Sequence, residues 1–167
     1  MITLISKIFG RFYALLNNAV IASLNHIATT LMESAEKIFQ TNVFRFFLLL
    51  REVSKLMISC KRCGIINSTR IANPLNQEGE VVYASSKSAV QSFTNIAAKE
   101  LLNYSIIVKA VGSSYVSTDL IKKVPKPRID SLLRRKAIKQ QGTFENFKNA
   151  VSFFLRPQSN FIINQIL

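Results

Sequence analysis

Tyr83-Ala84-Ser85-Ser86-Lys87 places a phenol and an ammonium four residues apart at the head of a long helical pattern. Positions i and i+4 lie on one face of a helix, so both groups address the same small volume. A free tyrosine has a pKa of about 10 and exchanges protons poorly at neutral pH. A neighbouring cation favours the phenolate and lowers that value toward the range of general acid-base catalysis. Taken alone, Y-x-x-x-K more often describes a surface lysine beside a half-buried tyrosine. Its meaning depends on the segments around it.

Downstream, the helix is predicted to run to about Asn103 with Val90, Phe93, Ala97, Leu101 and Leu102 inward. Ile106 to Val111 is a β-branched strand closed by Gly112. Upstream lie a turn-rich segment, Asn73 to Gly79, and a strand, Gly64 to Asn67. Before them a helical region opens at Glu33 and ends near Ser59, with Ala35, Ile38, Phe39, Val43, Phe46, Leu50, Val53 and Met57 as its apolar stripe. Tyr13 to Leu16 is a short apolar strand that stops at Asn17-Asn18, followed by a loop to about Leu31. Ile5, Ile8, Phe9 and Phe12 recur at helical spacing and predict a core-facing helix, which Gly10-Arg11 would end. Beyond Pro125-Lys-Pro-Arg come a basic helix (Ile129 to Lys139), another helix (Phe144 to Leu155) and a strand (Phe161 to Leu167).

Short apolar strands alternating with amphipathic helices, without internal repeats, predict a parallel α/β fold class. Sites in such sheets lie at the carboxyl ends of the strands. Asn17-Asn18, Ser68-Thr69 and Gly112-Ser113 all fall there. That convergence is the first evidence for a site.

Composition narrows the function classes. A chain of 167 residues with 49% hydrophobic content can bury one sizeable core. Twenty-two Lys and Arg against nine Asp and Glu give a net charge of +13, which attracts anionic partners. The basic residues are scattered, and no aromatic-basic signature accompanies them, so dedicated nucleic-acid binding is not expected. Cys60 and Cys63 form a C-x-x-C, a spacing found in redox pairs and in half zinc sites. There is no second pair, and the single histidine, His26, is distant in sequence, so both are read as structural thiols and no metal site is expected. The longest apolar run, Phe46 to Leu50, is too short to cross a bilayer, and Met1 to Lys7 lacks a signal-peptide pattern. The expected location is the cytoplasm.

Together these segments resemble the short-chain dehydrogenase/reductase family, in its 3-oxoacyl-reductase-like form. Asn17-Asn18-Ala19 resembles the N-N-A-G after the fourth strand, and Thr41-Asn42-Val43 the helix motif with the catalytic asparagine. Tyr83 and Lys87 fit the family's Y-x-x-x-K. Val111-Gly112 with Val116, Thr118 and Asp119 resembles the segment after the sixth strand. Phe153-Phe-Leu-Arg-Pro and the stretch from Asn160 resemble the approach to the last strand.

The resemblance implies an NAD- or NADP-dependent oxidoreductase acting on a small carbonyl or alcohol substrate. Tyr83 would exchange a proton with the substrate oxygen, and Lys87 would lower the tyrosine pKa and bind the nicotinamide ribose. Asn42 would hold a water that links Lys87 to solvent. Asn17, Asn18, Ala19, Val116 and Thr118 would contact the dinucleotide together with Tyr83 and Lys87. Homo-oligomers would form through the helices around Asn42 and after Tyr83.

Departures from the pattern matter equally. Residues 1–167 read as the C-terminal two-thirds of one such domain, a partial Rossmann-type doubly wound parallel sheet lacking the first three strands, on the order of 60–90 residues. No G-x-x-x-G-x-G occurs, so the turn that anchors the cofactor pyrophosphate is absent. The family's serine, thirteen positions before the tyrosine, falls on Arg70. Ser68 shares that strand face about 6.8 Å further back, and Thr69 takes the role if the following turn slips by one residue. Val20, Ser113 and Arg45 replace a glycine, a proline and a small residue around the site. Without the family's first strand, Tyr13 to Leu16 is expected to be an exposed apolar edge. A second reading is therefore a non-catalytic interaction protein that keeps the family's association helices.

Overall fold

The computed structural model describes residues 2–59, 63–70, 78–113, 126–134 and 139–163. In chain order they form α1 (Ile2–Phe9), β1 (Ala14–Asn17), α2 (Met32–Phe39), α3 (Arg45–Met57), β2 (Cys63–Arg70), α4 (Val81–Leu102), β3 (Ile106–Ser113), α5 (Lys126–Arg134) and α6 (Phe144–Leu155). A π-helical turn, Gln40–Phe44, joins α2 to α3 without a break, and short 3-10 turns occur at Ile27–Thr29 and Pro157–Ser159.

The three strands pair in parallel in the order β1-β2-β3, as the alternation of strand and helix predicts. Parallel neighbours need crossovers, and α2–α3 and then α4 provide them. Ile65, Ile106 and Val108 face Phe46, Leu50, Val53 and Met57 of α3 and Val90, Ala97 and Ala98 of α4. The opposite face, with Ile66 and Val111, packs on Val151 and Phe154 of α6. Alternation along each strand thus feeds two cores, and the sheet lies between helical layers.

The stripe over α2 and α3 is buried at Ile38, Val43, Phe46, Leu50, Val53 and Met57. Its one five-residue step, Ile38 to Val43, coincides with the π turn, where the Arg45 amide donates to Gln40 O. The inserted residue keeps both halves of the stripe on the core. On α4 the core-facing stripe mixes apolar with polar side chains: Ser86, Lys87 and Thr94 are buried with Val90, Ala97 and Ala98, while Leu102 is exposed against expectation. Leu102 lies at the end of the helix, past its last contact with the sheet-facing stripe.

Other expectations change too. Ile8 and Phe9 of α1 are exposed, 64% and 77%, because no described element lies over them. Ile2 and Phe12 alone among that region's apolar residues pack on the core. β1 pairs only with β2 among the described residues and leaves Tyr13 and Leu16 exposed, which is the apolar edge anticipated above. The basic helix is described over Lys126–Arg134 and so includes residues before Ile129, Lys139 is not helical, and residues 135–138 lie outside the described residues. Phe161 to Ile163 carry no strand, and Asn164 to Leu167 lie outside the described residues. Cys63 is disulfide-bonded rather than a thiol, and Cys60 lies outside the described residues. No helix of the described residues is long and apolar enough to cross a membrane.

Lys109 puts a charge in the core between the sheet and α6. Lys109 of β3 is 1% exposed. Its Nζ donates to Phe154 O (3.2 Å), Ser159 O (2.7 Å) and Ser159 Oγ (2.6 Å), and lies 4.9 Å from the centre of the Phe154 ring. The carbonyls at the end of α6 and in the turn after it suit a cation, since a helix C-terminus carries partial negative charge. Burial nevertheless pushes the ammonium below the ordinary lysine value of 10.5. A folded state with the lower pKa binds its proton less readily than the unfolded chain. The cost is fully present below the folded pKa and disappears as pH rises toward 10.5. Denaturation of wild type and Lys109→Met at pH 7 and pH 10 should show wild type gaining stability relative to the variant at the higher pH. A difference that stays constant with pH would contradict this.

Candidate active site

α4 begins at the carboxyl end of β2, which places Tyr83 in its first turn, half-buried, and Lys87 one turn later. Lys87 is 5% exposed, and its Nζ donates to Ser68 O at 2.8 Å. A buried ammonium needs such an acceptor, because its desolvation is costly otherwise. The bond fixes the lysine head beside the last third of β2. Tyr83 and Lys87 thus share the face that the i, i+4 spacing predicts.

Thr69, 2% exposed, turns its Oγ1 toward Lys87 O at 3.5 Å, the outer limit of a hydrogen bond. Arg70 ends β2 opposite Ser113. Asn42 projects from the π turn and is 3% exposed. Its Oδ1 accepts from Ile21 N (3.0 Å), and its Nδ2 donates to Ile21 O (2.9 Å) and to Ser86 Oγ (3.0 Å). The side chain therefore clasps the loop after β1 to α4.

A second polar chain crosses the strand ends. Asn17 Nδ2 donates to Asn67 Oδ1 (3.0 Å), Asn67 Nδ2 to Thr94 Oγ1 (2.9 Å), and Thr94 Oγ1 to Val90 O (2.8 Å). Asn67 and Thr94 are fully buried. Asn17 Oδ1 is buried with no hydrogen-bond partner among the described residues. Asn18 and Ala19 follow in an exposed loop. Asn17, Asn42, Thr69, Tyr83 and Lys87 thus all sit at or beside the strands' carboxyl ends, while Val116 and Thr118 lie outside the described residues.

Ser86, Asn67 and Ile21 were not anticipated. Asn67 was legible as a polar residue ending an apolar strand, at the same register as Asn17. Ser86 and Ile21 carry no local signal, because their partners are distant in sequence. No cluster of three metal-ligating side chains occurs among the described residues.

A parallel sheet with helices on both faces and a polar cluster at its carboxyl end defines a Rossmann-type α/β protein. The family model described as enoyl-(acyl carrier protein) reductase matches residues 1–167. The 3-oxoacyl-(acyl-carrier-protein) reductase FabG of Staphylococcus epidermidis is 26% identical over 159 residues, covering 95% of this chain and 65% of the relative. The 3-oxoacyl-(acyl-carrier-protein) reductase of Synechocystis sp. is 33% identical over 112 residues, covering 67% of this chain and 45% of the relative. The chain belongs to the short-chain dehydrogenase/reductase family.

Among solved structures, NAD+-bound xylitol dehydrogenase shares the fold, with a TM-score of 0.90 at 21% identity over 99% of this chain and 70% of that one. A variant of ElxO with NADPH bound gives 0.89 at 25% identity over 99% and 68%. The chain spans 65% of the length of the first curated relative.

Proposed function

We propose that this chain supplies the acid-base half of an NAD(P)-dependent interconversion of a carbonyl and an alcohol, with 3-oxoacyl thioesters as the substrate class. The observation that carries the proposal is the Tyr83–Lys87 pair: a half-buried phenol and a buried ammonium in consecutive turns, the latter tied to Ser68 O. Tyr83 donates its proton to the substrate oxygen in reduction and takes it back in oxidation. Lys87 favours the phenolate and so brings the tyrosine nearer its working range. Thr69 is assigned the hydroxyl on the substrate side; its bond to Lys87 O, at 3.5 Å, costs little to redirect. Asn42 holds the loop after β1 against the helix of Tyr83.

The residues at the nicotinamide end suit a dinucleotide. The buried Asn17 Oδ1 at the end of β1, without a partner among the described residues, offers an acceptor there. Asn17, Asn18, Ala19, Tyr83 and Lys87 would hold the cofactor, with Val116 and Thr118 assigned to the same task. When bound, it supplies or accepts the hydride. A glycine-rich pyrophosphate turn has no counterpart in these 167 residues. The 167-residue chain is therefore expected to show no saturable binding of NADPH at micromolar concentration by calorimetry or fluorescence. Saturation in that range would mean that other residues anchor the pyrophosphate.

The test of function is turnover. At millimolar NADPH, a 3-oxoacyl thioester is expected to be reduced slowly but above the buffer control, and no reduction at all would overturn the proposal. Exposed Phe44, Phe47 and Leu48 on the π turn and α3, with Ile96 on α4, favour a second reading, an interaction protein that pairs through these helices. A stable dimer with no turnover would select it.

A further inference from the structure

We propose that Ser86 is a positioning residue for Tyr83, coupling the loop after β1 to the catalytic turn through Asn42. The inference rests on the reading of Tyr83 as the proton-exchanging group, but its test needs no turnover.

Serines in helices commonly bond back to a carbonyl of the preceding turn, and such a bond by itself means little. Ser88 does so, with Oγ donating to Ala84 O at 3.0 Å on the exposed side of α4. Ser86 differs in two respects. It is 0% exposed, and its Oγ both donates to Tyr83 O (2.7 Å) and accepts from Asn42 Nδ2 (3.0 Å). The hydroxyl therefore joins an amide that grips Ile21 by both backbone atoms to the carbonyl of Tyr83 itself.

Three segments far apart in sequence meet at this point: the loop after β1, the π turn and the first turn of α4. The π turn carries Asn42 into this buried position. Removing the Ser86 hydroxyl leaves one Asn42 N–H without its acceptor in a buried site and releases the Tyr83 carbonyl from its side-chain tie. The loop stays tied to the chain just before α4 by the Asn25 N–H to Gly79 O bond (2.9 Å), but the turn that carries Tyr83 loses its buried side-chain tie. The phenol is then held less firmly relative to Lys87, and the phenolate loses support.

The readout is the pH titration of Tyr83, followed by ultraviolet difference spectra. Each protein is compared with its own Tyr83→Phe counterpart, which isolates this phenol from the other three tyrosines. Ser86→Ala is expected to raise the Tyr83 midpoint by about half a pH unit or more. Ser88→Ala, which removes the same kind of own-helix bond, is expected to leave it in place. A Ser86→Ala midpoint equal to wild type, or an equal shift in Ser88→Ala, overturns the proposal. If circular dichroism shows Ser86→Ala unfolded, Ser86→Cys carries the test, since a thiol keeps a weak donor and acceptor. It should show a smaller rise, and an unchanged midpoint in Ser86→Cys then overturns the inference. Absent turnover in wild type sinks the proposed function and leaves this titration difference to be read on its own.

Discussion

Tyr83→Phe is expected to lower the rate of NADPH-dependent carbonyl reduction by about 10²–10⁴-fold, the range that general acid-base catalysis contributes. The substitution removes one oxygen and keeps the ring, so the half-buried packing at the start of α4 is preserved. What disappears is the proton donor. Lys87 is a less suitable donor, because its Nζ is buried and held toward Ser68 O of β2. The measurement is initial rate at millimolar NADPH, with circular dichroism to show an unchanged fold. A rate equal to wild type would mean that the proton comes from another group, and the roles assigned to Tyr83 and Lys87 would fall together.

The second large effect concerns stability. Ile65→Ala is expected to cost about 2–5 kcal/mol, the range for deleting a buried isoleucine side chain beyond Cβ. Ile65 is 0% exposed at the middle of β2, the central strand of the three. It packs in the cluster that holds Phe46, Leu50 and Met57 from one helix and Val90 and Ala97 from another. Neither helix can collapse into the space without moving off the sheet. For a domain of this size about 2–4 °C is lost per kcal/mol, so the melting temperature should fall on the order of 5–15 °C. Leu48→Ala, on the exposed side of α3, is the control and should change stability by no more than about 0.5 kcal/mol. Equal losses in the two variants would place the core elsewhere.

Much of the fold was legible from local pattern. Three strands and the two long helices between them follow from apolar runs and from stripes at helical spacing, and each was expected within a few residues of its observed bounds. Errors fell where burial depends on what lies opposite. Ile8 and Phe9 have core spacing but no described neighbour to cover them, and Leu102 continues a stripe past the last surface that could bury it. Phe161 to Ile163 have strand composition but carry no strand, since a strand needs a partner edge, which composition does not specify.

For the site, the line runs between short and long range. Sequence spacing showed neither the π turn between Ile38 and Val43 nor that Asn42 would turn inward there. Lys109 sits in an apolar strand, and nothing nearby in sequence announces Phe154 O and Ser159 as its acceptors, forty-five and fifty residues on. Thr69 was considered as the stand-in for the family's serine, and the structure adds that its hydroxyl meets the backbone of α4.

Tyr83 and Lys87 on one face, the alternation of strand and helix, and the family that follows were determined by the sequence by itself. All three depend on contacts or periodicities within a few residues. The tertiary structure alone decided that Asn42 joins Ile21 to Ser86, that Lys87 is anchored on Ser68 O, and that Asn17 keeps an oxygen at the strand end with no partner among the described residues. Those are hydrogen bonds between polar groups far apart in the chain. They form only after the apolar stripes have brought β1, the π turn, β2 and α4 together.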